Sequence, residues 1–430
     1  MKLSGWGRFP TLDCRTAWLG ATEEIGPVLS RLPSLIARGN GRAYGDAALN
    51  PDATLLMGKC DRLLEFDAAT GVIECEAGLL LSDLLDFTVP HGWFSPVVPG
   101  TKLVTIGGLI AADVHGKNHH VDGSFGSHVE SLRLALADGN VMTCSPSQNP
   151  EVFAATLGGM GLTGVVLSAR IRLRRIASNH VEETIVRTSS FADTLHQLEE
   201  HRTATYSVAW IDCLAAGRNA GRGVLLLGEH SETGAGQRRR SRKLSIPVDL
   251  PAYTLNGWSI RLFNELYYRL HKPAQRITDY DRFFFPLDGV ENWNRLYGRR
   301  GFVQHQSVIG GPAAGDALHE ILSFVQKSGQ GSFLAVLKKL GPGNRYLSFP
   351  KEGYTITLDF ARNAGTEATL AVLDSIVAQA GGRIYLAKDA RAPRAIIEQG
   401  YPEIDAFRTL RRKLDPERRL RSALSERLGL

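Results

Sequence analysis

A lysine and three histidines stand close together in His115-Gly116-Lys117-Asn118-His119-His120, inside a stretch with few bulky side chains. An imidazole can orient or exchange a proton near neutral pH, and a lysine offers a compact positive charge. The surrounding segment, VPGTKLVTIGGLIAADVHGKNHHVDGSFGSHV from Val98 to Val129, carries Gly100, Gly107, Gly108, Gly116, Gly123 and Gly126. Glycines let main chain approach a neighbour closely and adopt positive φ without a steric penalty. Glycine density alone fits either a ligand cradle or a turn-rich hairpin region. The histidine and lysine favour the cradle, because a purely structural loop has no need of them.

A second glycine cluster lies upstream in Arg38-Gly39-Asn40-Gly41-Arg42-Ala43-Tyr44-Gly45-Asp46. Its G-x-G-x-x-x-G spacing is one residue off the dinucleotide fingerprint, and no convincing helix follows, which weakens a Rossmann assignment. Converging backbone N–H groups in such a loop still form an anion-binding nest suited to a pyrophosphate, against the alternative of a plain turn. A third cluster, Leu157-Gly158-Gly159-Met160-Gly161-Leu162-Thr163-Gly164, matches G-x-G-x-x-G at Gly159, Gly161 and Gly164. There the predicted helix precedes the glycines and a strand follows, the reverse of the nucleotide motif, so it reads as a helix-to-strand junction. Further on, Phe302-Val303-Gln304-His305-Gln306-Ser307-Val308 places Gln304 and Gln306 on one face of a strand. Paired amides there suit either sugar hydroxyls or an ordinary exposed sheet.

The elements that must hold these residues come from a chain of 430 residues, enough for two or three domains. With 43% hydrophobic and 22% charged residues the composition is that of a globular protein, and a net charge of +6 suits an anionic ligand without implying nucleic acid. The five cysteines, Cys14, Cys60, Cys75, Cys144 and Cys213, form no C-x-x-C pair, which argues against a zinc site or a disulfide framework. No metal is expected. The N-terminal residues lack a secretory pattern and no apolar run is long enough to span a bilayer, so the expectation is a cytoplasmic protein or one peripheral at the inner membrane, with a periplasmic placement left open.

Periodicity predicts a helix over Glu23 to Ala37, strands over Thr54 to Met57, Leu63 to Phe66 and Val72 to Glu76, and a helix over Leu79 to Thr88. Val129 to Leu136 and Val141 to Cys144 form a hairpin about Asp138-Gly139, and Val165 to Leu173 forms a strand after the helix Glu151 to Leu157. Beyond Ala177 strands such as Tyr206 to Cys213 and helices such as Gly315 to Ser328 and Ala368 to Ala380 indicate an α+β unit. Gly228 to Leu244, with Gln237-Arg238-Arg239-Arg240-Ser241-Arg242-Lys243, reads as an exposed basic loop. Trp258 to Lys272 reads as a basic amphipathic helix, suited equally to a membrane surface and to core packing with a cationic outer face. The C-terminal helical tail, Ile404 to Leu428, is interrupted at Asp415-Pro416.

Taken together, RGNGRAYGD (Arg38 to Asp46), the Val98 to Val129 stretch, LGGMGLTG, FFFPLDG (Phe283 to Gly289), VQHQ (Val303 to Gln306) and GGRIYLAKD (Gly381 to Asp389) resemble the vanillyl-alcohol-oxidase-type FAD flavoproteins. Within them the chain is similar to oxidases of a polyprenyl-phosphate-linked ribose. The resemblance implies an α+β, two-domain fold with a PCMH-type FAD domain over residues 1–177, an inserted substrate domain on an antiparallel sheet over 178–382, and a segment 383–430 returning to the FAD domain. It implies that Arg38, Gly39, Asn40, Gly41, Arg42, Ala43, Tyr44 and Gly45 cradle the FAD pyrophosphate. Gly100, Thr105, Ile106, Gly107 and Gly108 add cofactor contacts, Ala112, Asp113, His115, Gly116 and Asn118 run along the flavin, and Val165 and Tyr385 complete the shell. On the substrate side it implies Lys117, Trp210, Gln304, Gln306 and Lys338 as binding residues, with Lys388 as first candidate for the base and Tyr44 and His115 supporting it.

Members with covalent flavin carry a histidine where this chain has Arg42, so the resemblance implies non-covalent FAD. Relatives also carry a reactive cysteine where this chain has Thr357, so cysteine-directed inhibition should fail here while hydride transfer, which needs no thiol, proceeds. The implied reaction makes a keto-sugar from the ribose 2′-hydroxyl, as the first half of an epimerisation to the arabinose form, and implies an NAD(P)H-dependent short-chain keto-sugar reductase as partner. Two alternatives remain: a soluble alditol or aldonolactone oxidase on the same fold, and a binding protein that has lost flavin chemistry.

Overall fold

The structure is a computed structural model that describes residues 1–233, 244–251 and 254–430. Short alternating runs in the first third pair as the turn signals require. Val129–Ala135 and Val141–Cys144 close at Gly139, whose φ of +92° a side chain would strain. This hairpin extends into a five-stranded antiparallel sheet in the order Val141–Cys144, Val129–Ala135, Val165–Arg172, Val72–Glu76, Leu63–Asp67. Beside it lies a three-stranded parallel sheet of Thr16–Trp18, Thr54–Leu56 and Ile36–Arg38.

That last strand corrects the helix expected over Glu23 to Ala37, of which only Ile25–Ser30 is α-helical. Pro33 breaks the run, and the buried Leu35 and Ile36 belong to the strand region that leads into the first glycine loop. A short apolar run does not distinguish the two states by periodicity. The Val98 to Val129 stretch is a chain of short helices, Ile106–Ala111 and His119–Asp122, rather than hairpins. Thr105 starts the first of them, its Oγ1 accepting from Gly108 N at 3.2 Å.

The second layer is an eight-stranded antiparallel sheet ordered Ala274–Asp279, His180–Thr188, Gly223–His230, Tyr206–Ile211, Val336–Leu340, Gly353–Ala361, Phe302–Ile309, Arg383–Ile384. Gly228 to His230 therefore extend a strand rather than opening the basic loop, and Gln237 to Lys243 lie outside the described residues. Period-two alternation gives the sheet two unlike faces. Ala209, Leu225, Leu337, Ile356 and Leu358 pack in one core with helices Ala314–Ser328 and Thr366–Gln379. Their alternate neighbours Val208, Trp210, Leu226, Val336, Lys338 and Thr357 point into a crevice.

After the edge strand Arg383–Ile384 the chain returns to the first layer. Leu420 bridges Leu35 in parallel, Arg419 donates to Leu32 O at 2.9 Å and Ala137 O at 2.7 Å, and Arg427 joins Asp46 at 3.0 Å and Asp389 at 2.8 Å. Among the described residues no helix is long and apolar enough to cross a membrane, and no cluster of three or more His, Cys, Asp or Glu is placed to hold a metal.

Candidate active site

The two glycine loops, the returning C-terminal segment and the crevice face of the large sheet converge on a cavity of ≈ 670 Å³. That volume falls within the roughly 300–1,000 Å³ of small-molecule sites. Close main-chain approach creates the convergence. A Cβ on Gly39 would meet Thr105 Oγ1 at 2.1 Å, and one on Gly45 would meet Asp389 O at 2.0 Å. The Arg38 to Gly45 loop is thus wedged between the helix cap and the segment bearing Lys388, and Tyr44 N donates to Ala387 O at 2.9 Å. Arg38 braces the loop by donating to Ser4 O at 2.7 Å and Ala48 O at 3.3 Å. Asn40 Nδ2 ties it to Leu103 O at 2.8 Å, and the Arg42 guanidinium lies over the Trp6 ring at 4.1 Å.

The crevice brings together Arg38, Gly39, Asn40, Gly41, Arg42, Ala43, Tyr44, Gly45, Gly100, Thr105, Gly107, Gly108, Ala112, His115, Gly116, Lys117, Trp210, Gln304, Gln306, Lys338, Tyr385 and Lys388. Four expected residues do not line it. Ile106 packs in the apolar core beneath, and Val165 packs in another while its neighbours Gly164 and Val166 face the crevice. Asp113, held at φ +39°, accepts from Gly126 N at 3.0 Å, Asn344 Nδ2 at 2.9 Å and Ser348 Oγ at 2.5 Å, so it braces the wall between Ala112 and His115. Asn118 donates to Pro96 O at 2.8 Å and to Asp122 at 2.6 Å.

At one end of the crevice sits a buried polar group. Lys388 Nζ lies 3.8 Å from the Tyr44 ring centroid. Register places Gln304 opposite Asp359, and Gln304 Nε2 donates to Asp359 Oδ1 at 2.5 Å while Tyr297 OH donates to Oδ2 at 3.4 Å. Gln306 Nε2 donates to His115 Nε2 at 2.8 Å and to Thr355 Oγ1 at 3.2 Å. An amide nitrogen only donates, so this bond leaves the imidazole proton on Nδ1. Tyr385 stacks on Phe349 at 4.4 Å and donates its hydroxyl to Ala112 O at 2.9 Å, fixing the wall beside His115. Trp210 packs on Tyr267 at 4.6 Å, and Lys117 donates to Phe283 O with its ammonium 4.0 Å from that ring.

Burial disfavours charge throughout this group. It brings Lys388 down to about 7, against the attraction of Asp359 and with help from the charge of Lys338. Burial likewise brings Lys117 to about 7 and Lys338 to about 8, and raises Asp359 to about 7 against the Gln304 bond and Lys388. Tyr44 is driven well above its ordinary value and His115 well below, chiefly by the same desolvation. Tyr44 and His115 are therefore neutral hydrogen-bonding groups near pH 7, and Lys388 is available there as a free amine.

Asp359 carries no part of the sequence-level expectation, although a signal for it exists. It is the lone carboxylate in the apolar strand Gly353–Ala361, in step with Thr355 and Thr357 at period two.

The crevice fits a flavin dinucleotide. At Gly100 an added Cβ would meet nothing within 4 Å and at Gly108 only Thr105 Oγ1 at 3.1 Å, so the glycines leave open space beside the loops. Arg42 Nε, in the lining of that space, is buried without a hydrogen-bond partner, as expected of a donor awaiting an anionic ligand. The opposite walls, including Val98, Pro99, Ala112 and Val166, are apolar. Fold and crevice define an FAD-dependent oxidoreductase, and residues 31–145 match the FAD binding domain family.

The chain is 34% identical to the decaprenylphosphoryl-beta-D-ribose oxidase of Mycolicibacterium smegmatis, over 100% of this chain and 97% of that one. It is 33% identical to a Streptomyces coelicolor protein described only as uncharacterized, over 82% of this chain and 100% of that one. It is also 31% identical to bovine L-gulonolactone oxidase, over 42% of this chain and 41% of the relative. The chain belongs to the decaprenylphosphoryl-ribose oxidase family of FAD enzymes.

Proposed function

We propose that this protein oxidises the 2′-hydroxyl of a polyprenyl-phosphate-linked ribose to a keto-sugar. Residues 1–177 with 383–430 form the cofactor unit and 178–382 the substrate unit. The observation that carries this reading is the position of Lys388, beside Tyr44 and the Gln304–Asp359 pair in the same crevice as the glycine loops, with a pKa of about 7. The loop Arg38 to Gly45, with Thr105, Gly107 and Gly108, would hold FAD non-covalently, and the bound flavin would supply the acceptor for the carbon-bound hydrogen as hydride.

The remaining steps belong to the chain's own residues. Lys388 as free amine takes the hydroxyl proton, and its nearness to pH 7 matches what general-base work requires. Gln306 spends its amide hydrogens on His115 and Thr355, which leaves its carbonyl oxygen for a sugar hydroxyl. His115, protonated on Nδ1 and neutral, orients the sugar rather than exchanging protons with it. Lys338, at about 8, is largely cationic at pH 7 and faces the substrate phosphate. Walls formed by Trp210, Phe333 and Tyr267 keep the reacting groups out of bulk water.

A keto-sugar requires reduction from the opposite face to complete an epimerisation, so an NAD(P)H-dependent short-chain reductase acts next. Anaerobic titration with a polyprenyl-phosphoryl ribose tests the assignment by bleaching of flavin absorbance. Bleaching by free polyols alone, with peroxide released in air, would replace it with a soluble alditol or aldonolactone oxidase.

A further inference from the structure

We propose that helix Gly257–Leu270 docks the protein on an anionic lipid bilayer with the crevice mouth turned toward it. The helix is firmly built. Asn256 Oδ1 accepts from Ser259 N at 3.1 Å, Ser259 Oγ accepts from Asn256 N at 3.1 Å, and the buried Asn264 donates to Asp212 at 2.8 Å. Its inner face carries Ile260 and Asn264. Its outer face carries Trp258, Leu262, Leu266 and Leu270 at i, i+4, i+8 and i+12, exposed by 73%, 46%, 51% and 77%. Residues four apart lie on one side of a helix, so these make one stripe rather than scattered contacts. Past the helix, Ile277 on the edge strand Ala274–Asp279 is 57% exposed.

The charge around the stripe selects the occupant. Between Gly257 and Arg276 the basic residues are Arg261, Arg269, Lys272 and Arg276, and Glu265 is the one acidic residue. Arg222 and Arg269 engage Glu265, each at 2.5 Å, and Arg276 is engaged by Glu183 at 2.6 Å, so the surplus rests chiefly on Arg261 and Lys272. An apolar stripe with a tryptophan and a surplus of arginine and lysine is the pattern of a helix lying in a headgroup region, where the bases meet anionic lipid. The same helix also walls the crevice. Phe263 and Tyr267 line it, packed on Phe333 at 5.5 Å and Trp210 at 4.6 Å, and Phe263 is itself 43% exposed. A docked helix would open the crevice onto the layer from which an isoprenoid-anchored sugar is drawn. In that purpose the proposal rests on the lipid-linked substrate proposed above.

The test is flotation of the holoenzyme with phosphatidylcholine vesicles, with and without phosphatidylglycerol. The holoenzyme is expected to float with the anionic vesicles, less with the neutral ones, and less again as salt is added. The triple variant Leu262→Glu, Leu266→Glu, Leu270→Glu should lose at least about tenfold in partitioning. It should retain flavin and turn over a short-chain, water-soluble ribose phosphate at the parental rate. The single Leu270→Glu, at the most exposed position, should lose part of the partitioning and guards against a folding defect in the triple variant. Failure of the holoenzyme to bind anionic vesicles at low salt, or equal binding by the variants, overturns the proposal. So does a holoenzyme dimer that the triple variant splits, which would assign the stripe to a second copy of the chain. Vesicle binding without flavin bleaching by the lipid-linked ribose would sink the substrate assignment alone, whereas bleaching in detergent without vesicle binding would sink the docking alone.

Discussion

If Lys388 removes the substrate proton, the reductive half-reaction must follow its neutral fraction. With a pKa of about 7, about a tenth of Lys388 is neutral at pH 6, half at pH 7 and about nine-tenths at pH 8. The rate constant for anaerobic flavin bleaching at saturating substrate should therefore climb about tenfold between pH 6 and pH 8 and then level off. A lysine near its ordinary value of about 10.4 would instead gain close to a hundredfold between pH 7 and pH 9. The sign is fixed by the role, since a base is active when deprotonated and the limb rises with pH. Lys388→Ala should leave flavin bound, because it leaves untouched the cradle proposed for it, the loop Arg38 to Gly45 with Thr105, while slowing bleaching by about 10²–10⁴-fold. Lys388→Arg keeps a cation in place but never frees a base near neutral pH, so it should be slow as well. Stopped-flow bleaching across pH 5.5–9 decides the matter. A flat profile or parental bleaching by Lys388→Ala would remove the lysine from the chemistry, and a rise still unbroken at pH 9 would refute its depressed pKa.

The neighbouring Asp359 gives two further expectations. Its charge supports the protonated lysine, so Asp359→Asn should move the bleaching limb to lower pH by about one unit. The carboxyl has a higher pKa folded than unfolded, so folding disfavours its charged form and wild-type stability falls as pH rises from about 4 to about 7. Asp359→Asn should remove that loss, a relative gain of at most about 4 kcal/mol at pH 8, read from denaturant unfolding at the two pH values. Gly45→Ala would force a methyl to 2.0 Å from Asp389 O, main chain that has no rotamer to change. It should emerge from gel filtration depleted of flavin and destabilised by about 1–3 kcal/mol. Maleimide treatment should leave bleaching intact, because all five cysteines are buried and none lines the crevice. Thr357→Cys, which places a thiol in that lining, should make the enzyme maleimide-sensitive.

What the sequence discloses here tracks how local the cause is. Glycines at Gly39, Gly41, Gly45, Gly107 and Gly108 announce close main-chain approach because the need for a missing side chain is written at the position itself. Strand alternation around Gln304 and Gln306 is local too, and the same alternation puts Lys338 and Thr357 in the crevice. Partnership is not local. Gln306 meets His115 across 191 positions, and the Gln304–Asp359 bond exists because two strands pair in one register out of several. A slip of one residue would turn both glutamines into the helix-packed core and bring His305 to the crevice. The same limit explains Ile106, Asp113, Asn118 and Val165, which sit inside or directly after the right motifs while their side chains brace the wall from behind. It explains the helix expected over Glu23 to Ala37 as well, because Ile36–Arg38 becomes a strand only once Thr54–Leu56 is beside it. The lysine proposed as base shows the consequence for mechanism. In GGRIYLAKD nothing local marks Lys388 as unusual, and its depressed pKa arises from burial between walls contributed by distant segments and from the Lys338 charge. The reactivity of that amine is thus a property of the fold rather than of its motif, and a variant that loosens the Arg38 to Gly45 wedge should raise the Lys388 pKa while leaving every residue of GGRIYLAKD in place.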